Sequence, residues 1–373
     1  MIKKLGLIVN PIAGMGGTVG LKGTDGEEIL EKARLLGSRP ISPLRTQEML
    51  KNLIPVREKL QIFTFPAEMG EYELRAVGFS PSVVGTIISG KTTSTDTMNA
   101  AKVLKDHDVQ LLIFVGGDGT AQDILNSIDQ EIPVIGCPSG VKIHSSCFAF
   151  NPESCARIIL RYLWEELPVR EAEVIDVNED AFRDNRLEVE LKGYLMVPYE
   201  PYLLQGGKMT SPLTIDENQN QSMIAKYVIE NMEADQYYLL GPGTTVQAIA
   251  KELGFEKTLL GVDICLNKKI IARDVNETQI LQIISDKKGK IVMSPIGNQG
   301  IILGRGNLQI SPKVIRKVGK ENIIVISTRY KLVSLPRAFL RVDTRDHELD
   351  SAFKNSYIRV IVDYNEIRII KIR

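Results

Sequence analysis

Gly116-Gly117-Asp118-Gly119-Thr120 gathers residue types that can do chemistry at close spacing. It follows Leu111-Leu112-Ile113-Phe114-Val115, five apolar residues without alternation, which read as a fully buried parallel strand. A buried helix would also be apolar throughout, but two glycines cut this run off at once, so strand is favoured. From Ala121 to Ile128 the apolar residues Ile124, Leu125 and Ile128 fall at helical spacing. Strand, glycine turn and helix start in succession make an anion site, with bare backbone N–H groups and the positive end of the helix dipole facing the ligand. Gly116, Gly117 and Gly119 let a phosphate come close to the backbone. Asp118 repels that phosphate unless it holds a metal or takes a proton from a hydroxyl. Those are the requirements of phosphoryl transfer to an acceptor hydroxyl. The plainer alternative is an acidic helix cap.

Three further loops belong with this one. Leu5-Gly6-Leu7-Ile8-Val9 is a second buried strand, ended by Asn10-Pro11 and followed by Gly14-Met15-Gly16-Gly17. Polar and glycine residues run on to Gly26, longer than a turn needs. They include Lys22, suited to phosphate, with Thr24 and Asp25, the latter suited to a hydroxyl or a cation. Thr92 to Thr97 crowds hydroxyls before a helix over Met98–Leu104. Either Thr95 or Asp96 caps that helix, or these side chains face a nucleotide. Pro133 to Gly136 is another strand, and its loop is Pro138-Ser139-Gly140-Val141-Lys142-Ile143-His144-Ser145. His144 is either a structural histidine or a ligand contact. Ligands of parallel sheets bind beyond the strand C-terminal ends. Four polar loops at such ends therefore predict one shared site.

The elements that position these loops follow from periodicity. Helices are expected over Glu27–Leu36, Arg45–Ile54, Glu71–Val77 and Asn151–Leu163, and strands over Leu60–Phe65 and Ser82–Ile88. The pattern changes past Pro168. Ala172–Val177 and Leu187–Leu191 alternate as an antiparallel hairpin, with a strand continuing over Gly193–Val197. Beyond it, Tyr237–Leu240, Gly241-Pro242-Gly243-Thr244-Thr245 and Val246–Leu253 repeat the strand, loop and helix scheme. Leu259–Ile264, Ile291–Met293 and Ile323–Ser327 read as strands, Ser222–Met232, Glu277–Ser285 and Ser311–Val318 as helices, and Tyr357–Ile372 as a closing hairpin. Gly243, Thr244 and Arg305, the last between two glycines, are the candidates in this half for completing the nucleotide site; the alternative is that their loops only cap helices. The expectation is an α/β protein: an N-terminal Rossmann-like parallel sheet with helices over 1–167, and a C-terminal mixed, β-rich α+β domain over 168–373.

A chain of 373 residues, 43% hydrophobic and 25% charged, has apolar material for two domains. Its formal net charge is zero, which argues against nucleic acid or an anionic membrane as partner. Cys137, Cys147, Cys155 and Cys265 lack a paired metal spacing, and a reducing cytoplasm fits them. No signal peptide or membrane span is evident. A cytoplasmic homo-oligomer handling small-molecule nucleotides is expected.

The motif Gly116–Thr120 after an apolar strand resembles the signature shared by NAD kinases, diacylglycerol and sphingosine kinases and, more loosely, phosphofructokinases. Asn10–Gly17, Gly20–Gly26, Pro138–Ser145 and Gly297–Asn307 resemble one branch, the ATP-NAD kinase-like proteins that include the acetoin-catabolism X protein. The resemblance implies ATP with Mg²⁺, Asp118 as general base or metal organiser, and the adenosine ribose 2′-hydroxyl of NAD as acceptor. The Asn-Glu pair that typical NAD kinases use for the acceptor has no match after Gly140. Two alternatives accompany this reading: a lipid or small polyol acceptor, and a non-catalytic nucleotide sensor.

Overall fold

The computed structural model describes residues 2–15, 27–139, 143–165, 167–177, 189–200, 203–204, 215–285, 287–335 and 339–373. The chain forms two compact units that divide at 207–208.

The first unit is built on a five-stranded parallel sheet, ordered β3-β2-β1-β4-β5. Its strands are β1 (Lys3–Val9), β2 (Leu60–Thr64), β3 (Ser82–Val83), β4 (Leu111–Gly116) and β5 (Val134–Pro138). Between them run α1 (Glu27–Leu35), α2 (Ser42–Lys51), α3 (Glu71–Ala76), α4 (Ser94–Lys105) and α5 (Asp118–Ile128); α6 (Pro152–Glu165) follows β5. Every residue of β4 is buried, as the unbroken apolar run requires, and β1 pairs with it from Leu5 opposite Leu111 to Val9 opposite Val115. The helices make two layers, α2 with α3 and α6, and α4 with α5, because the crossovers run to opposite sides of β1 and keep one hand. Phe114 and Phe148 meet edge to face at 5.1 Å in this core. Gly136 has to be glycine, since a Cβ there would lie 2.4 Å from the Phe148 ring and 2.9 Å from Phe114.

Several boundaries differ from expectation for local reasons. Helix α2 starts three residues early because Pro43 sits in its first turn, where a missing N–H costs nothing. Strand β3 is only two residues long, since the chain turns at Gly85 (φ +72°), against which the Phe65 ring packs. The hairpin of β6 (Val169–Val177) and β7 (Val189–Pro198) is antiparallel as expected, and its turn lies outside the described residues. Its Ala172, Val174, Leu195 and Val197 are buried in the first core. The hairpin therefore belongs to the first unit, and the division falls after it rather than at 167–168.

The second unit has a seven-stranded mixed sheet, ordered β10-β9-β8-β11-β13-β15-β16. Strands β8 (Tyr237–Leu240), β11 (Gly289–Met293), β13 (Ile323–Ile326) and β15 (Tyr357–Asp363) are parallel; β9 (Asp263–Leu266) and β16 (Glu366–Lys371) run against them, and β10 (Lys269–Ala272) pairs antiparallel with β9 at one edge. A short parallel pair, β12 (Ile301–Leu303) and β14 (Arg341–Val342), stands apart. The described helices are α7 (Ile215–Glu230), α8 (Thr244–Glu252), α9 (Glu277–Ile284), α10 (Pro312–Val318), α11 (Arg329–Val333) and α12 (His347–Phe353). Alternate strand residues serve two cores. Tyr238, Leu240, Val292 and Ile326 face Ile224, Val228, Val246 and Ile249 of α7 and α8. Leu239, Ile291, Met293 and Val325 face Ile280, Ile284, Val314 and Phe353 of α9, α10 and α12. The protein is α/β overall.

Candidate active site

In the first sheet the chain leaves β1 toward β2 and β3 on one side, then returns to place β4 and β5 on the other. The switch between β1 and β4 opens a crevice at their C-terminal ends, where doubly wound sheets bind ligands. Asn10 spans it: its backbone N–H donates to Val115 O at 3.0 Å, and its Nδ2 donates to Thr120 Oγ1 at 3.0 Å. Its Oδ1 accepts from Ile12 N at 3.2 Å, shaping the turn that reaches Gly14 at φ +80°. Thr120 is buried, and a Cβ on Gly116 would lie 2.2 Å from its hydroxyl, so the first glycine is set by this contact. A Cβ on Gly119 would meet nothing, which leaves open space beside the helix start.

Gly117 precedes α5, and Asp118 is the helix's first residue. The Asp118 carboxylate accepts from His144 N at 2.8 Å and Ser145 N at 2.9 Å, one amide on each oxygen. The loop after β5 is thereby clamped to the start of α5. Ser145 Oγ accepts from Ile175 N at 2.9 Å, fixing the same loop to β6. His144 is 2% exposed, so its ring is part of the packed interior. Cys147 close by is inert, since burial, with the Asp118 charge second, pushes its thiol well above the usual range.

The loop residue Ser139 donates its N–H to Gly116 O at 3.0 Å. Ser42 Oγ, at the start of α2, lies 2.9 Å from Ser139 Oγ and 3.2 Å from Ala13 O, joining the loops after β5 and β1. Arg45 is 3% exposed and donates from Nε to Pro138 O at 3.3 Å. Sequence reasoning missed Ser42 and Arg45 and named Ser145 only as part of its loop; the one available signal for the first two was Ser42-Pro43 as a helix start. At α4 the cap is Thr93, whose N–H and hydroxyl both reach Asp96 Oδ2, at 2.8 and 3.0 Å. Asp96 is committed to that cap and Thr95 is exposed. Gly16, Gly17, Lys22, Thr24, Asp25, Gly140 and Lys142 lie outside the described residues.

In the second unit Gly243 precedes α8 at φ +108° and Thr244 is its exposed first residue. Arg305 is 3% exposed, with Nε 3.3 Å from Asp343 Oδ2. Gly304 makes that pairing possible, because a Cβ there would lie 1.9 Å from Asp343 O. Arg305 thus serves the join between β12 and the β14 segment.

Among the described residues no three His, Cys, Asp or Glu side chains gather as a metal site. Mg²⁺ is usually bound through one or two carboxylates plus phosphate oxygens rather than by a protein cage. Asp118, a single carboxylate at the start of α5, fits one such contact to an ion carried on a phosphate.

A parallel sheet whose glycine loop, aspartate and helix N-terminus meet at the switch point defines an α/β protein with a candidate ligand site there. Residues 5–166 match the ATP-NAD kinase N-terminal domain, and residues 233–372 match the ATP-NAD kinase C-terminal domain. The chain belongs to the ATP-NAD kinase family, whose members are phosphotransferases with an alcohol acceptor. Among solved structures it is similar to a diacylglycerol kinase from Bacillus anthracis str. Sterne, at 20% identity over 48% of this chain and 47% of that one, with a TM-score of 0.24. Another structure from that organism, provisionally assigned the same activity, is 19% identical over 47% of this chain and 46% of that one, with a TM-score of 0.26. The matches span about half the length of those proteins, and at these TM-scores they carry no argument. No curated protein matches the chain. Among the described residues, no helix is long and apolar enough to cross a membrane.

Proposed function

We propose that this protein is a kinase that transfers the terminal phosphoryl group of ATP to the adenosine ribose 2′-hydroxyl of NAD, giving NADP. The observation that carries the reading is Asp118: a carboxylate at the N-terminus of α5, beside the β1–β4 switch point, oriented by two backbone amides. The open space beside Gly119 and the α5 dipole would receive phosphate. Asp118 would accept the proton of the attacking hydroxyl, its orientation fixed by the His144 and Ser145 amides. Mg²⁺ arriving with ATP would shield the phosphate charge. Family membership supports the kinase; NAD as acceptor, and a homo-oligomeric state, are part of the proposal.

The test is an assay of purified protein with ATP, Mg²⁺ and separate acceptors: NAD, diacylglycerol in mixed micelles, and a set of small polyols. New phosphorylated product is read by mass spectrometry and phosphorus NMR. NADP is the expected product. A product from another acceptor alone would move the substrate. ATP binding with no product from any acceptor would make the chain a nucleotide sensor.

A further inference from the structure

The second unit has its own switch point. After β8 the chain turns to β9 and β10 on one side, then crosses to β11 on the other. Helix α8, after β8, packs in the core with α7, while α9 and α10, before and after β11, line the opposite face. The C-terminal ends of β8, β11 and β13 lie side by side here, with Leu240 opposite Val292 and Met293 opposite Val325. Gly241 N donates to Val292 O at 2.9 Å, so the Gly241–Thr245 loop starts directly beside the end of β11.

Two buried groups at these strand ends lack the partners their burial calls for. Thr245, in the first turn of α8, is wholly buried, and among the described residues its hydroxyl has no hydrogen-bond partner. Lys331, after β13, is 8% exposed, and Ser294 Oγ at 3.1 Å, just past β11, is the one hydrogen-bond partner of its ammonium among the described residues. An ammonium carries three donors, so two are left over in a place that penalises unpaired charge. The Glu217 carboxylate accepts from Thr328 Oγ1 at 2.7 Å. Burial pushes Lys331 down to about 8, with the Glu217 charge opposing the shift. A lysine elsewhere in the unit shows the contrast: Lys257 is equally buried but donates to the carbonyls of Thr258 and Gly261, at 2.7 and 3.2 Å.

We propose that the second unit holds an oxyanion site of its own, at the ends of β8, β11 and β13, where Lys331, Ser294, Thr245 and the N-terminal amides of α8 bind the phosphate of a small phosphorylated molecule. An oxyanion accepts the spare Lys331 donors and the Thr245 hydroxyl together, and the α8 N-terminus favours its charge. This site stands on the second unit alone and does not rest on the kinase reading.

The probes are inorganic phosphate and sulfate, titrated into the full chain by calorimetry. The variants are Lys331→Met, Thr245→Val, which keeps the side chain's shape, and Asp118→Asn in the other unit. Saturable anion binding is expected in the unsubstituted chain and in Asp118→Asn, weakened at least tenfold in Lys331→Met and in Thr245→Val. If Lys331→Met does not fold, Thr245→Val decides by the same criterion. No saturable binding of either anion overturns the proposal. So does binding of unchanged affinity in the folded variants, or binding lost only in Asp118→Asn.

Discussion

Asp118 is at once a chemical group and a structural one, and its substitution separates the two. In Asp118→Asn one carboxylate oxygen becomes an NH₂ that faces a backbone N–H of His144 or Ser145. That clash of donors should cost roughly 1–3 kcal/mol of stability, the penalty for an unsatisfied buried group. Loss of a general base should cost roughly 10²–10⁴-fold in turnover. A thermal melt and an NADP assay on the same preparation are the measurements. A melt lowered as expected with turnover unchanged would leave Asp118 as a loop clamp and remove it from the chemistry. Asn10 gives the matching case on the other side of the crevice. Asn10→Ala removes the link to Thr120 Oγ1 and the Ile12 turn contact. It should destabilise the first unit by about 1–2 kcal/mol, and ATP affinity should fall because the β1 loop loses its tie to α5. Unchanged ATP affinity by calorimetry would place the ligand away from that loop.

At the level of elements, the site depends on three loops joined to one another more than on any one motif. Glycine at 136 is where this shows in the core. Gly136→Ala would push a methyl into the Phe148 ring, an overpacking that costs roughly 1–3 kcal/mol. Because Gly136 N donates to Cys147 O and Gly136 O accepts from Ala149 N, both at 2.9 Å, the strain would pass to the segment that presents the Asp118 clamp. Activity should therefore fall by more than the lost stability alone predicts, read as turnover at a temperature where the variant is fully folded. What the sequence showed and hid follows from the same geometry. Strands β1 and β4 were legible because an unbroken apolar run has few other fates, and the α5 start because glycines and an aspartate adjoin it. The Asp118 clamp was hidden, because its donors are amides on a loop 26 residues away that any residue type supplies. The β9–β10 hairpin was hidden because its two-residue turn, Asn267-Lys268 at φ +50° and +60°, lacks the glycine that marks such turns. Arg305 between glycines read as a clamp for a phosphate or carboxylate; only the fold brings Asp343 to it and buries both.

Across the whole molecule, three separate cores and a formal net charge of zero leave pH dependence to a few buried groups. Glu73 on α3 is 3% exposed, its Oε2 has no hydrogen-bond partner among the described residues, and burial, aided by the Glu68 charge, raises it from 4.5 to about 7. A raised folded value means the folded first unit holds this proton more tightly than the unfolded chain. That stability is complete below about 4.5 and is lost as pH rises through about 7. Lys257 and Lys331 in the second unit have the opposite sign. Burial lowers each from 10.5 to about 8, so the unfolded chain binds more protons between those values, and stability rises with pH across that range. The two units should therefore respond differently: the first unit's transition weakens from pH 5 to 7, and the second's strengthens from pH 8 to 10. Each pH unit that separates a group's folded and unfolded values is worth about 1.4 kcal/mol, so the full effect of one group is roughly 3 kcal/mol. Urea titrations across this range, followed by a probe in each unit, would resolve both slopes. Glu73→Gln should flatten the first slope and leave the second untouched, and Lys257→Met should flatten only part of the second because Lys331 still titrates. Sulfate should flatten the remainder if it holds Lys331 charged. A first slope that survives in Glu73→Gln would show that this carboxyl is hydrated in the folded chain.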